Sequence, residues 1–368
     1  MPTINTMLRI VRTTDNFWDA YLLRTFKGTR KIRFRNGVEL RTDYSQYAKL
    51  RDWFEELRNN QFIIEKTSGG YLIKNVASDT KLSFYTECIL TAKPLFDFLL
   101  SLSNRGWSIL SVDNCYKLEK AGSTYLIEQL AENSFRLKSK NTELIGPKES
   151  LMVYFNELFE AELYENIYLN KTVLDIGGFC GETAVFFSKR GAKKVIIYEP
   201  VQEHQHTIIK NLELNGVNAE LHDEGISEKD GVLTINYEAL DLGFGLANKG
   251  RYQTCIKTRN VSDVILESHA DIAKIDCEGA EISIVNVAPE IIGLINYYIV
   301  ETHSPEIEKA VTEKFLSSGF RVAREPVNLA KGISMHYFEK ILENTTFTLM
   351  PYNDALFSKH AEEGFITH

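Results

Sequence analysis

Val173-Leu-Asp-Ile-Gly-Gly-Phe-Cys-Gly-Glu-Thr183 runs from apolar residues into three glycines set among two acids. An apolar run that ends on Asp175-Ile176 reads as a buried strand, and the turn Gly177-Gly178-Phe179-Cys180-Gly181 leads into a helix beginning near Glu182-Thr183. Outward from this turn the chain alternates regularly. Strands are predicted over 172–176, 194–199, 219–222, 271–276 and 296–301, with helices over 181–190, 202–215, 262–268, 280–290 and 305–318. Near-continuous apolar strands such as Lys194-Val-Ile-Ile-Tyr198 and Tyr297-Tyr-Ile-Val300 suit a sheet covered on both faces, so the fold class is α/β, a doubly wound and mostly parallel sheet. Two further strands, over 320–324 and 333–339, are joined too closely for a crossover helix and bring the count to seven as an antiparallel edge hairpin. An inserted hairpin is expected around Val232 to Tyr237, followed by a loop over 241–250.

The 368 residues, 44% hydrophobic and 11% aromatic, are enough for two domains, each with a core. Residues 1–160 form an α+β accessory domain in this reading, 161–340 the α/β domain, and 341–368 a tail. Short strands at Phe62-Ile63-Ile64, Tyr71-Leu72-Ile73 and Leu82-Ser83-Phe84-Tyr85, with a turn at Ser68-Gly69-Gly70, precede a Pro94-led helix. An echo of that order lies 53 to 56 residues later, which suggests a duplicated unit over 62–105 and 116–160.

No apolar run is long enough to span a membrane, and Asp15, Asp19, Arg24, Lys27 and Arg30 interrupt any leader-like core, so a cytoplasmic protein is expected. Cysteines 88, 115, 180, 255 and 277 are odd in number and widely spaced, and read as reduced thiols. The net charge of −8 excludes a protein that coats nucleic acid by bulk charge. Arg24, Lys27, Arg30, Lys31, Arg33, Arg35 and Arg41, against Glu39 alone, still make a local basic strip, either a protected edge strand or a contact for an anion.

The glycine turn lies where open α/β sheets bind ligands, beyond the carboxyl end of a strand. Phe179 stands where a dinucleotide fingerprint needs its second glycine, and Glu182 in the first helical turn would repel a pyrophosphate. A cationic nucleoside with an amino-acid tail, S-adenosylmethionine, suits Asp175, Gly177, Gly178, Gly181 and Glu182 better. Glu199, followed by Pro200 at the end of the second strand, is placed to accept from the hydroxyls of a ribose, and Asp223 or Glu224 after the third strand is placed to face an adenine amine.

Methyl transfer needs an acceptor held in line with the methyl and a group that removes the acceptor's proton. The fourth strand ends in Asp276-Cys277-Glu278 and the fifth in Glu301-Thr302-His303. Residues two apart share a strand face and neighbouring strands lie about 4.8 Å apart, so Asp276, Glu278, Glu301 and His303 are predicted to converge beside the cofactor. His303 then acts as general base oriented by a carboxylate; alternatively the four side chains hold a divalent metal, the less favoured arrangement. Glu281 reads as an acid favoured by the helix start it occupies.

The runs Asp175-Ile-Gly-Gly-Phe-Cys-Gly-Glu-Thr-Ala184, Gly191-Ala-Lys-Lys-Val-Ile-Ile-Tyr-Glu-Pro200, Asn211-Leu-Glu-Leu-Asn215, Lys274-Ile-Asp-Cys-Glu-Gly-Ala-Glu281 and Val300-Glu-Thr-His303, in this order, resemble the FkbM family of S-adenosylmethionine-dependent methyltransferases, class I and Rossmann-like. The resemblance covers about residues 165 to 340 and implies O-methylation of a sugar-like, glycan or other small-molecule hydroxyl. Two alternatives stand beside it: an RNA 2′-O-methyltransferase gripping its substrate with the basic strip, and a non-catalytic protein that binds the same nucleoside.

Overall fold

The computed structural model describes residues 14–15, 20, 29–35, 38–66, 70–75, 81–85, 92–112, 115–131, 134–237 and 252–341. Outside these lie Arg24 and Lys27 of the basic strip, Ser68-Gly69, Cys88, the loop 241–250 and the tail from 342 onward. The chain divides into two compact units, Met1–Met152 and Val153–His368. No helix among the described residues is long and apolar enough to cross a membrane.

In the first unit, strands β1 (Arg30–Arg33) and β2 (Glu39–Thr42) pair antiparallel. Helix α1 (Tyr44–Asn59) follows, started by a capping box in which Asp43 accepts from the Gln46 N–H and the Gln46 side chain accepts in return. Strands β3 (Phe62–Lys66), β4 (Gly70–Asn75) and β5 (Lys81–Tyr85) form an antiparallel meander before helix α2 (Ala92–Asn104). Strands β6 (Ser108–Val112), β7 (Cys115–Lys120), β8 (Ser123–Ala131), β9 (Ser134–Lys138) and β10 (Glu143–Gly146) make a five-stranded antiparallel sheet, followed by α3 (Lys148–Met152). Strands β3, β4 and β5 start at 62, 70 and 81, and β7, β8 and β9 at 115, 123 and 134, each 53 residues later.

The second unit opens with a π-helical segment, Val153–Glu160, which the sequence reading assigned to the preceding domain. Its main sheet has seven strands: β11 (Thr172–Ile176), β12 (Lys194–Tyr198), β13 (Glu220–His222), β17 (Ile272–Ile275), β18 (Tyr297–Thr302), β19 (Phe320–Ala330) and β20 (Ile333–Lys340). Their order is β13-β12-β11-β17-β18-β20-β19. The first five run parallel, while β20 enters antiparallel between β18 and the edge strand β19. Connecting helices are α4 (Glu182–Lys189), α5 (Gln202–Asn215), α6 (Val261–Ser268), α7 (Pro289–Ile292) and α8 (Pro305–Ser317). The apolar runs do what their composition requires: Leu174, Ile196, Ala273, Tyr298 and Val300 lie in one buried cluster with Val264, Ile284 and Phe315. Each such aliphatic side chain contributes about 1.5–3 kcal/mol relative to exposure.

Two expectations are corrected. The predicted helix 280–290 is a 3₁₀ segment, Ala280–Asn286, followed by the separate α7. Gly279 at φ +100 starts the segment on a tight turn, and Pro289, which has no N–H to donate, begins a new helix instead of extending the old one. The inserted hairpin belongs to a second sheet in which β15 (Gly231–Tyr237) pairs antiparallel with β16 (Tyr252–Asn260), and β16 pairs in parallel with β14 (Glu224–Ser227).

Candidate functional site

Strand β11 has β12 on one side and β17 on the other, so chain order reverses direction across the sheet at this strand. A crevice opens beyond the carboxyl ends at such a point. The turn after β11 is built for close approach: Gly177 has φ +82, and a Cβ there would lie 1.7 Å from the Asp276 carbonyl oxygen at the end of β17. Gly178 and Gly181 serve packing instead, since their Cβ positions face Ile197 and Ile208.

The crevice is an open cleft. Gly177, Phe179, Glu199, Pro200, His204, Asp276, Cys277 and Glu278 line it, and Val201, Ile226, Leu233, Ile235 and Ile256 form its apolar wall. Within that wall Val201, Ile235 and Ile256 make a small buried cluster with Leu233 packed against it, so the second sheet supplies one face of the cleft. No lysine or arginine lines it among the described residues. Phe179 and Glu278 hold left-handed backbone angles, φ +44 and +52, conformations that non-glycine residues adopt at a cost and that cluster at binding sites.

Glu199 is held by its own turn and by the glycine turn after β11. The Phe179 N–H donates to Oε2 and the Val201 N–H donates to Oε1, both at 2.9 Å, and His204 Nδ1 stands 3.3 Å from Oε1. A carboxylate oxygen has two lone pairs, so Oε2 keeps one for a ligand.

Four acids read from the sequence as cofactor contacts are placed elsewhere, as are Gly178 and Gly181. Asp175 is fully buried beneath the turn, where Thr183 Oγ1 donates to Oδ2 at 2.6 Å and Lys274 Nζ lies 3.3 Å from Oδ1. Glu182 is buried and accepts from the Cys180 N–H. Asp223, 61% exposed, pairs with Lys257, and Glu224 starts β14 without lining the cleft, where its neighbours Gly225 and Ile226 stand instead. The first two acids shape the turn, and a short side chain on the rim reaches the nearest lysine more readily than it reaches back over the strand. Among the described residues, the acids that line the cleft are Glu199, Asp276 and Glu278.

Asp276, Glu278, Glu301 and His303 are brought together. His303 Nε2 lies 3.8 Å from Asp276 Oδ1, 3.7 Å from Glu278 Oε2 and 3.4 Å from Glu301 Oε1. Its other nitrogen, Nδ1, is 2.8 Å from Glu281 Oε1, which also accepts the His303 backbone N–H. Glu281 is therefore not merely a helix-start acid: it is fully buried and fixes the ring, with Oε2 taking the Gly279 N–H. Burial alone would lower the His303 pKa, but the bond to Glu281 and the nearby carboxylates of Glu301 and Asp276 outweigh it and push it up to about 11. The acids around the imidazole thus favour its protonated form. Burial pushes Glu278 up to about 7, and burial with the Asp276 charge does the same for Glu301.

Lys274, Glu157 and Tyr164 complete the surroundings without having been singled out. Lys274 is buried in β17, donates to the Gly177 carbonyl and lies 3.3 Å from Asp175 and 3.4 Å from Asp276. The attraction of those acids holds its pKa above the ordinary value although burial opposes it. Glu157, on the π-helical segment, accepts from the Tyr164 hydroxyl, and burial and then the Glu301 and Asp276 charges push its carboxyl well up. A basic residue inside an otherwise aliphatic strand, Ile272-Ala-Lys-Ile275, was the available signal for Lys274. Nothing in the sequence marks Glu157.

No family model and no curated protein matches the chain. Solved structures are similar to part of it. A precorrin-6y C5,15-methyltransferase from Geobacter metallireducens GS-15 aligns at 12% identity and TM-score 0.34, over 50% of this chain and 88% of that one. A ribosomal protein L11 methylase from Lactobacillus delbrueckii subsp. bulgaricus aligns at 15% and 0.29, over 53% and 78%. An rRNA methylase from Streptococcus thermophilus aligns at 13% and 0.32, over 48% and 90%. Likenesses this weak leave the reading of the site to its own residues.

Proposed function

We propose that the second unit is an S-adenosylmethionine-dependent O-methyltransferase acting on a hydroxyl of a sugar-like or other small-molecule acceptor. The observation that carries this is the charge of the cleft: three carboxylates and no lysine or arginine line it among the described residues. A dinucleotide's pyrophosphate would face Glu199, Asp276 and Glu278 with no lysine or arginine among the described lining residues. A nucleoside with a positive sulfonium and ammonium suits the same lining. Gly225 keeps the wall of the groove thin, because a Cβ there would press on Ile256 and Pro200 at 3.3 and 3.4 Å. S-adenosylmethionine, when bound, supplies an electrophilic methyl on a sulfonium.

The chain's residues divide the remaining work. Glu199 binds the ribose, the Gly177 turn admits the cofactor's close approach, and Leu233, Ile235 and Ile256 cover the base. Asp276, Glu278 and Glu301, grouped around His303, receive the acceptor hydroxyl and its proton. The motif likeness to the FkbM family belongs to this same reading. An RNA acceptor fits less well, since its phosphates would approach the acids of the reacting edge, and Lys31 and Arg33 of the basic strip already pair with Glu39.

Calorimetry with S-adenosylhomocysteine tests the proposal. Binding to the full chain, weakened at least tenfold by Glu199→Ala, is the expected result; absence of binding to the unaltered protein overturns the cofactor. Glu301→Gln should retain that binding and lose turnover.

A further inference from the structure

The reacting edge has a feature that methyl-donor binding does not require. His303 is 8% exposed, and its Nδ1 is locked to Glu281, itself fully buried. A carboxylate only accepts, so Nδ1 carries a proton and the ring's remaining nitrogen, Nε2, is aimed into the group of Asp276, Glu278 and Glu301. It meets none of them at hydrogen-bonding length: the nearest oxygen is 3.4 Å away, beyond the 2.7–3.2 Å of an ordinary N–H···O bond. A buried imidazole fixed on one side by a carboxylate, with its other nitrogen facing several oxygens at a standoff, is the arrangement by which proteins orient a metal-binding histidine.

We propose that Asp276, Glu301 and His303 hold a divalent metal ion of the manganese type, with Glu278 at the open side. The ligand atoms of these three residues lie within 4.8 Å of one another. Around an ion with bonds of about 2.1 Å, ligands stand about 3.0 Å apart when adjacent and about 4.2 Å when opposite, so side-chain adjustments of a few tenths of an ångström close the set. The two oxygens of Asp276 already face different partners, since Lys274 lies against Oδ2 and leaves Oδ1 toward His303. The donors are carboxylate oxygens and one imidazole. Cys277, the nearest thiol, donates instead to Glu281. That set suits Mn²⁺ and its hard neighbours over the thiophilic ions. The ion offsets the excess of negative charge. Glu281 is a positioning residue.

Binding of the ion stands on these residues alone; its use as a Lewis acid toward the acceptor hydroxyl rests on the methyl-transfer reading. The test is a titration of chelator-treated full-length protein with Mn²⁺, following loss of the free-ion electron paramagnetic resonance signal. One site of micromolar affinity is expected, lost in His303→Ala and Asp276→Asn and weakened about 10- to 100-fold in Glu281→Gln. Asp276→Asn preserves shape, and thermal melts of each variant show whether it remains folded. Failure to bind Mn²⁺ at millimolar concentration, or equal binding by folded Asp276→Asn and the unaltered chain, overturns the site. S-adenosylhomocysteine calorimetry on the same preparation separates the two claims. Nucleoside binding without Mn²⁺ binding sinks only the metal, and the reverse sinks only the methyl donor.

Discussion

Lys274 and Asp175, 99 residues apart in the chain, form an ion pair 3.3 Å long with side chains 3% and 0% exposed. The pair ties β17 to β11 beneath the glycine turn. Lys274→Met should therefore destabilise the protein by about 3–5 kcal/mol, because it leaves a buried carboxylate uncompensated. Adding Asp175→Asn should recover a large part of that loss, and urea unfolding of the two single variants and the double gives the coupling. Additive losses would mean that the two residues act separately.

Gly177→Ala should be among the most harmful single-methyl changes. The new Cβ would lie 1.7 Å from the Asp276 carbonyl oxygen, at a φ of +82 that alanine resists. A loss of about 3 kcal/mol or more combines the overlap with the backbone cost. Gly216→Ala, at φ +61 with open space around it, should cost only about 1 kcal/mol and serves as the control.

His336 gives the fold a pH dependence. It is buried in β20, with Glu308 of α8 3.5 Å from Nε2, and burial lowers its pKa to about 4 while pushing Glu308 up. The unfolded chain takes up this proton near pH 6.5 and the folded chain only near 4, so stability falls as pH drops through that window. The loss amounts to about 3 kcal/mol by pH 4. His336→Leu should flatten the stability profile between pH 6.5 and 4; an unchanged slope would assign the proton uptake to other groups.

The second sheet should matter to nucleoside affinity and little to the chemistry. Ile256→Ala and Leu233→Ala each remove apolar lining, and each should weaken S-adenosylhomocysteine binding about five- to tenfold, corresponding to about 1–1.4 kcal/mol. Unchanged dissociation constants in both would detach this sheet from the cofactor.

The main sheet was legible because both of its signals are local. Apolar runs such as Lys194–Tyr198 and Tyr297–Thr302 end in glycine or acid, and the structure places β12 and β18 there. The same period predicts Asp276, Glu278, Glu301 and His303 at adjoining strand ends; Glu301 lies within β18, whereas Asp276, Glu278 and His303 lie just past the strands, Glu278 on a left-handed turn. Relations across the chain were not legible. Asp175 reads as a ligand until Lys274 is seen against it, and Glu281 reads as a helix acid until His303, 22 residues on, closes onto it. Strand β16 was missed because its partners β14 and β15 lie well before it in the chain, so no hairpin turn announces it.

Asp276 has a consequence for how such a protein can diverge. Its carbonyl stands against Gly177, one carboxylate oxygen faces Lys274 and the other faces His303. Any replacement of the side chain disturbs the contact with Lys274 and the reacting edge together, so selection for a new acceptor has little room at this position. Glu278, 39% exposed on its left-handed turn, carries no comparable set of obligations. A lineage descended from this chain would change its substrates at position 278 first and at 276 last.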